Sequence, residues 1–235
     1  MFQNISYQVA GCSFEGVVAA PTSSPARGGV LFFHGGSGPG DHERDRVGRL
    51  AEAGYVAFAP DLFGEVFADR TRGMAVIGEL VATPGLLRAR VGAAWRRLAD
   101  CEGIAGRTAA VGHCFGGLAA LELARSGADV RAVVSFHGGL AAREPARRGE
   151  VRARILACTG ADDSFCPREQ RTAFEEEMTG AGVDWQMHVY GGARHGFSVP
   201  GIDPARHPGC AYHAPSDRRS WQAMLELLEE ALPGA

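Results

Sequence analysis

A glycine-rich segment in the middle of the chain presents a cysteine in the setting of a catalytic nucleophile. The segment Gly112-His-Cys-Phe-Gly-Gly117 joins an apolar run typical of a short strand to an alanine- and leucine-rich run typical of a helix. A sharp strand-to-helix turn pushes its apex residue, here Cys114, clear of the backbone, and the flanking glycines leave room for the turn. The pattern favours nucleophilic catalysis by a thiol, with a buried structural cysteine as the alternative.

Two later loops supply an acid and a base for that thiol. Asp162-Asp163 and His195 each follow a predicted strand, and both come after Cys114 in the chain. Nucleophile, acid and histidine in this order are typical of α/β-hydrolase triads. An adjacent imidazole would shift a thiol with an ordinary pKa of about 8.5 toward thiolate, and a carboxylate would orient the imidazole. The loop sequence leaves open which aspartate acts, and turn formation or helix capping is the non-catalytic alternative for either.

Backbone amides on two loops are predicted to form an oxyanion hole. The N–H of Phe115 directly follows Cys114, and that of Gly36 lies in the glycine-rich loop after the apolar run Val30–Phe33. Loss of one such donor typically costs about 3 kcal/mol of transition-state stabilisation. An acyl substrate would be attacked by the thiol to give a thioester, which water then hydrolyses.

Alternating apolar runs and helical periods predict an α/β class: an α/β-hydrolase fold whose mostly parallel sheet has helices on both faces. Strands are predicted at 5–9, 13–20, 30–33, 55–59, 108–111, 130–136, 154–159 and 185–190, and helices at 41–53, 84–98, from about 116, 167–178 and 216–232. The first two strands form an antiparallel N-terminal edge. Loops at the carboxyl ends of parallel strands share one rim, so the nucleophile, acid and base should meet there.

The length of the chain fits a single domain spanning residues 1–235. Two segments interrupt the regular pattern. Residues from about 62 to 83 predict a partly helical, lid-like excursion over the sheet, and residues from about 198 to 215 predict a second irregular loop.

Composition excludes several classes of protein. A hydrophobic content of 46% with 22% charged residues argues against disorder and against membrane spanning, and a formal charge of −3 argues against nucleic acid binding. The first residues lack a basic leader and an apolar core, which predicts a cytoplasmic protein. The six cysteines form no CxxC pair and have no metal-ligand spacing, so neither a metal nor a cofactor is expected. The oligomeric state is left open between monomer and homodimer.

Several motifs together resemble the dienelactone hydrolase family. They are the elbow Gly112-His-Cys-Phe-Gly-Gly117, the segment Gly160-x-x-Asp163-x-x-Cys166-Pro167, the segment Gly192-Ala-Arg-His195-Gly-Phe197, the strand end Pro60-Asp-Leu-Phe63 and the terminal Arg219-Ser-Trp221. The resemblance covers nearly the whole chain. It implies cleavage of a small-molecule ester or lactone, with Cys114 as nucleophile, Asp163 as acid and His195 as base.

The resemblance also bears on substrate binding. It places Arg72 near a family arginine that binds a substrate carboxylate. His34 and His137 end strands on the rim, where a substrate-binding role and a structural role are both open. Two positions depart from the family: Gly35 stands where a glutamate takes part in thiol activation, and Val199 stands where a second arginine binds the carboxylate.

Two alternatives follow from these departures and from the thiol itself. Without the activating glutamate, the chain is also compatible with a catalytically silent scaffold that binds a small ligand. A redox-sensing thiol would instead need a resolving cysteine, for which Cys158 and Cys166 are candidates only if the fold brings them close to Cys114.

Overall fold

Eight strands form one sheet in the computed structural model, which describes residues 2–22, 25–65, 67, 70–104 and 106–233. In chain order the strands are β1 (Phe2–Val9), β2 (Cys12–Ala19), β3 (Gly29–Phe33), β4 (Val56–Pro60), β5 (Thr108–His113), β6 (Ala132–Phe136), β7 (Arg154–Gly160) and β8 (Trp185–Tyr190). Across the sheet they follow the order β1-β2-β4-β3-β5-β6-β7-β8. β2 is antiparallel to both β1 and β4, whereas the neighbours from β4 to β8 pair in parallel. This topology confirms the predicted α/β-hydrolase class with its antiparallel N-terminal edge.

Helices cover both faces of the sheet. They are α1 (Asp41–Glu52), α2 (Arg70–Ala82), α3 (Leu86–Ala99), α4 (Phe115–Arg125), α5 (Arg168–Ala181) and α6 (Ala214–Ala231). Strand β3 shows why two cores form: Leu31 and Phe33 face the core under α2 to α5, while Val30 and Phe32 face the core under α1 and α6. Successive side chains of a strand point to opposite faces, so a strand buried on both sides reads as an uninterrupted apolar run.

The lid-like excursion contains helix α2, which begins at Arg70; Val66, Ala68 and Asp69 lie outside the described residues. α2 buries Val76 and Leu80 in the core. It also lies over the loop after β3, since a Cβ on Gly36 would be 3.3 Å from Ile77 Cδ1. The mixed sequence pattern of this segment reflects a helix that buries only a narrow stripe.

The second irregular segment packs against the loop that carries His195. The N–H of Ala211 donates to the His195 carbonyl at 3.0 Å, and the N–H of His213 donates to the Phe197 carbonyl, also at 3.0 Å. Helix α6 begins at Ala214, slightly before the predicted position. The segment is therefore tied to the rim by backbone hydrogen bonds.

Candidate active site

Cys114 stands at the apex of a strand-to-helix turn. It follows β5 directly and precedes α4, with φ 53° and ψ −117°, a backbone conformation that L-residues rarely adopt. A Cβ on Gly112 would lie 2.2 Å from the Gly116 carbonyl oxygen, and a Cβ on Gly116 would lie 2.1 Å from the Phe33 carbonyl oxygen. Larger residues would collide with backbone at both positions, so the turn requires its glycines.

The rim brings Cys114, His195 and Asp163 together. His195 Nδ1 lies 3.0 Å from Asp163 Oδ2, and the His195 ring is also within hydrogen-bonding contact of the Cys114 thiol. Because Nδ1 faces the carboxylate, the remaining nitrogen Nε2 serves the thiol. Asp163 is 3% exposed, and its Oδ1 accepts the N–H of Phe165 at 2.8 Å. The neighbouring Asp162 is exposed. Of the two aspartates that the loop sequence left as alternatives, Asp163 is therefore the one in contact with His195.

Electrostatics favour an ionised pair at this site. Burial alone would raise the pKa of the Cys114 thiol, but the hydrogen bond and charge of His195 lower it overall. For His195, burial opposes protonation, yet hydrogen bonds and charge interactions with Asp163 and Cys114 raise its pKa to about 10. Both shifts favour the ionised pair of thiolate and imidazolium, compared with the same two side chains held apart.

Two backbone amides are directed at the sulfur of Cys114. They belong to Phe115 and Gly36, the two donors expected from the sequence, and both lower the pKa of the thiol by favouring its anionic form. The same donors would face an oxyanion formed on a carbon bonded to that sulfur.

Comparison with known proteins places the chain in a family. A sequence model of the dienelactone hydrolase family matches residues 14–232. The chain belongs to the dienelactone hydrolase family. Family membership makes the protein an ester or lactone hydrolase and confirms the resemblance that the motifs indicated.

Solved structures and a curated relative agree with this family assignment. The structure of m3DLH is 36% identical, with a TM-score of 0.93 and coverage of 99% of this chain and 98% of that one. P91, a dienelactone hydrolase-like promiscuous phosphotriesterase from metagenomic libraries, is 33% identical, with a TM-score of 0.91 and coverage of 98% of both chains. A Synechocystis sp. protein that is named as a carboxymethylenebutenolidase is 23% identical over 92% of each chain.

The loop after β3 is held from two sides in this family member. His34 accepts the N–H of Leu62 on Nε2 at 2.9 Å and lies 2.8 Å from the Gly35 carbonyl through Nδ1. Burial lowers the pKa of His34, so the ring is neutral with its proton on Nδ1. Glu43 accepts the N–H of Gly40 at 2.8 Å and also that of Gly35. These contacts position the loop that supplies the second amide.

Gly35 itself lies beside Cys114. A Cβ at this position would be 3.8 Å from the Cys114 Cβ and 3.8 Å from the His113 carbonyl oxygen, which is ordinary van der Waals spacing. The thiol therefore has no carboxylate next to it at the position where the resemblance implies a glutamate. Its ionisation depends on His195 and on the two amides.

His137 lies behind His195. Its ring is fully buried, 4.9 Å from the His195 ring between centroids, and its Nε2 lies 2.9 Å from Ser198 Oγ. Its φ of 40° is one of three positive values among the described residues other than glycine, and Cys114 has another. His34 and His137 were both expected as substrate-binding residues, and both are 0% exposed. Substrate contact by either side chain stays a prediction, while their observed contacts support neighbouring loops.

A row of neutral histidines continues from His137 toward the surface. His113 lies next to it, with ring centroids 5.5 Å apart, and His113 Nδ1 is 2.7 Å from His42 Nε2. Burial lowers the pKa of all three, to about 4 for His42, and the positive charge of Arg46 adds to the effect. The three histidines at the rear of the site are therefore neutral.

A buried ion pair fixes the far end of the His195 loop. Arg46, which is 1% exposed, donates from Nη2 to the Ser198 carbonyl at 2.8 Å and to Asp217 Oδ1 at 3.0 Å. Tyr212 donates its hydroxyl to the same carboxylate at 3.1 Å. With the His137 bond to its hydroxyl, Ser198 is anchored through both its carbonyl and its side chain. No sequence motif includes Arg46, although its place on the apolar stripe of α1 was a signal for burial.

Two further side chains lie on the outer part of the rim. Arg72 donates from Nε and Nη2 to the carboxylate of Glu65 at 3.1 and 2.5 Å, and its side chain is 53% exposed. The predicted contact of Arg72 with a substrate carboxylate stays a prediction. Phe165, to which no sequence motif pointed, lies 4.8 Å from the His195 ring between centroids.

The other cysteines differ from Cys114. All six are free, and Cys158 and Cys166 are buried. Burial raises the pKa of both thiols, to about 12 for Cys158, so they stay protonated and are poor partners for thiol exchange. Within the described ranges, no group of three or more His, Cys, Asp or Glu side chains is arranged to hold a metal ion. In that same part of the chain, no helix is long and apolar enough to cross a membrane.

Proposed function

We propose that the protein hydrolyses small-molecule esters or lactones through Cys114, His195 and Asp163. The observation that carries the proposal is the contact of His195 with Cys114 on one side and with Asp163 on the other. This contact lowers the pKa of a thiol that also faces two backbone amides. Together these groups supply a nucleophile, a proton donor and an oxyanion site, which acyl transfer requires.

The first half of the reaction forms a thioester. The thiolate of Cys114 attacks the carbonyl carbon, and the carbonyl electrons move to the oxygen, which accepts hydrogen bonds from the amides of Gly36 and Phe115. When this oxyanion collapses, the bond to the alcohol oxygen breaks. The departing oxygen takes the proton from His195 Nε2, so the ring becomes neutral while Asp163 keeps it oriented.

The second half returns the enzyme to its starting state. Neutral His195 removes a proton from water, and the resulting hydroxide attacks the thioester carbon. The second oxyanion uses the same amides, and its collapse breaks the carbon–sulfur bond. The acid product leaves, with Cys114 again a thiolate and His195 again an imidazolium.

The test removes the sulfur without changing the fold. Cys114→Ala should abolish hydrolysis of phenyl acetate, while the circular dichroism spectrum and melting temperature stay close to those of the wild type. Cys101→Ala is the matched control, because Cys101 is a partly buried free cysteine on a different loop. Wild-type turnover in Cys114→Ala would overturn the proposal.

A second candidate activity is hydrolysis of phosphotriesters. P91, whose name describes that activity, is 33% identical over 98% of this chain. A phosphoryl oxygen would occupy the position proposed for the carbonyl oxygen, facing the same two amides, and the pairing of Arg72 with Glu65 is compatible with an uncharged substrate. Turnover of paraoxon by the wild type and its loss in Cys114→Ala would support this activity, and no turnover above the uncatalysed rate would exclude it.

Location and assembly stay predictions from the sequence. A cytoplasmic location is checked by cell fractionation. A monomer or homodimer is checked by light scattering on the purified protein, and binding to nucleic acid, which we do not expect, is checked by gel shift.

A further inference from the structure

An exposed aromatic ring lies directly against the triad histidine. The rings of Phe165 and His195 have centroids 4.8 Å apart with planes inclined by 53°, and Phe165 is 47% exposed. A large apolar side chain with half its surface in water gains little from folding alone. Because the ring lies next to His195, the proposed proton donor, we looked for a role for it in binding substrate.

The Phe165 ring is held on a firm support. Its own N–H donates to Asp163, and the next residue, Cys166, is 1% exposed. On another side the ring approaches the second irregular segment, where a Cβ on Gly209 would lie 3.3 Å from Phe165 Cε2. The ring thus presents a preformed apolar surface beside His195.

The proposed chemistry determines which part of a substrate reaches this surface. The oxyanion must face the amides of Gly36 and Phe115, on the side of the site that Ile77 of α2 covers. The leaving oxygen must instead face His195 Nε2, because it takes its proton from that atom. The group attached to the leaving oxygen therefore continues past the His195 ring, which Phe165 contacts.

We propose that Phe165 forms a leaving-group subsite and makes the enzyme prefer esters whose alcohol part is aromatic or otherwise flat and unsaturated. This inference rests on the proposed ester hydrolysis. An aryl group would stack offset or edge-on against the Phe165 ring, the arrangements that aromatic pairs prefer. Arg72, the cation that the resemblance assigns to substrate binding, is paired with Glu65, which agrees with an uncharged substrate.

The experiment compares two acetate esters with leaving groups of matched acidity, one phenyl and one fluoroalkyl. Matching the acidity removes the chemical advantage of the phenol, so a remaining difference in kcat/KM reports contact with the ring. Phe165→Ala should lower kcat/KM for the phenyl ester about 2- to 12-fold more than for the fluoroalkyl ester, the range that about 0.5–1.5 kcal/mol of aromatic pairing provides. Phe165→Leu should keep the fluoroalkyl rate and lose most of the phenyl preference.

The controls separate this role from a structural one. Any of these substitutions keeps the N–H that binds Asp163, and Val189→Ala removes an equally exposed apolar side chain from β8. Equal losses on both esters would mean that Phe165 only shields the His195–Asp163 pair, and unchanged rates on both would mean that the ring contacts no substrate. Either result overturns the inference. If Phe165→Ala does not fold, Phe165→Leu decides alone.

The Cys114→Ala variant tests the proposed function, and the Phe165 variants test the leaving-group subsite. Loss of both ester activities in Cys114→Ala supports thiol catalysis whatever the Phe165 variants do. Retention of both activities in Cys114→Ala removes the basis of the inference together with the proposed function.

Discussion

Two neighbouring histidines of this site have opposite charge preferences. The rings of His195 and His137 lie 4.9 Å apart between centroids, and both residues are buried. The pKa of His195 is raised to about 10, whereas that of His137 is lowered well below its ordinary value. Residue type and burial are shared, so neither explains the difference.

The partners of each ring explain it. Burial disfavours the charged form in both, but His195 has Asp163 and the Cys114 sulfur as anionic neighbours. His137 has a serine hydroxyl on Nε2. After burial, its pKa is lowered by the positive charges of His195 and Arg46, and by His42 whenever that ring is protonated. A neutral His137 is thus a condition for a charged His195, since two adjacent imidazolium groups would repel each other.

The largest effect should come from removing the charge that makes His195 different from His137. Asp163→Asn should lower kcat/KM by about 10⁴-fold, because the ring loses both its carboxylate and its preferred tautomer. The pKa of the Cys114 thiol should rise at the same time, which ultraviolet absorbance of the thiolate across pH measures. Asp162→Asn is the matched control and should leave both quantities near the wild type. Comparable activity losses in the two variants would contradict the assignment.

A smaller effect is expected on the His137 side, from breaking the buried pair of Arg46 and Asp217. Asp217→Ala should lower the free energy of unfolding by about 3–5 kcal/mol, because it leaves a buried guanidinium without its carboxylate. Chemical denaturation measures this change. Glu229→Ala breaks the exposed pair with Arg27 and should cost at most about 1 kcal/mol. Equal costs would show that the Arg46 pair contributes no more than a surface contact.

The hydrogen bond between His137 and Ser198 should have a still smaller cost. His137→Phe and Ser198→Ala should each lower the free energy of unfolding by about 1–3 kcal/mol, because each leaves one buried polar partner unsatisfied. The double variant should cost less than the sum, since neither partner then remains unpaired. Strict additivity in a denaturation cycle would show that this bond does not hold the His195 loop.

The free energy of unfolding should depend modestly on pH, because some histidines of the site have lowered pKa values and His195 has a raised one. His42, His113 and His137 have lowered pKa values, so their contribution is lost as pH falls below about 6.5, where the unfolded chain takes up protons that the fold refuses. The raised pKa of His195 gives a contribution that is lost as pH rises from 6.5 to about 10, but the lowered pKa of Cys114 offsets this loss up to its ordinary value of 9.0.

The free energy of unfolding should therefore fall below about pH 6.5, and its loss with rising pH should be steeper above pH 9 than just below it, where the lowered pKa of Cys114 opposes the effect of His195. Denaturation at a series of pH values checks this shape. His42→Gln should reduce the loss on the acid side, and Cys114→Ala should remove the change of slope near pH 9. A wild-type curve whose slope does not change near pH 9 would contradict the lowered pKa of the Cys114 thiol.

Much of the part of the site that contains Cys114, Asp163 and His195 could be predicted from local sequence. The elbow depends on glycines whose absent side chains avoid backbone collisions at Gly112 and Gly116, and these are visible in the sequence. Cys114, Asp163 and His195 each follow a strand, and parallel pairing places the ends of these strands on one rim, where the three residues meet. These features require only local pattern and topology.

The rear of the site depends on contacts between distant segments. Arg46 and Asp217 are 171 positions apart, and His137 and Ser198 are 61 apart. Glu43 and Arg46 occupy the buried stripe of α1, where charged residues break the apolar pattern without naming a partner. The inward turn of His34 and His137 depends on neighbours that strand-end position alone does not reveal, and so does the contact of Phe165 with His195.

The most direct test of the account is the covalent state of Cys114 during turnover. Wild-type protein mixed with phenyl acetate, quenched in acid within the first turnovers and analysed by intact and peptide mass spectrometry should carry one acetyl group, located on Cys114. The adduct should accumulate in Asp163→Asn if deacylation slows more than acylation, and it should be absent in Cys114→Ala. Hydrolysis without any adduct, or an adduct on another residue that turns over at the catalytic rate, would contradict the central claim.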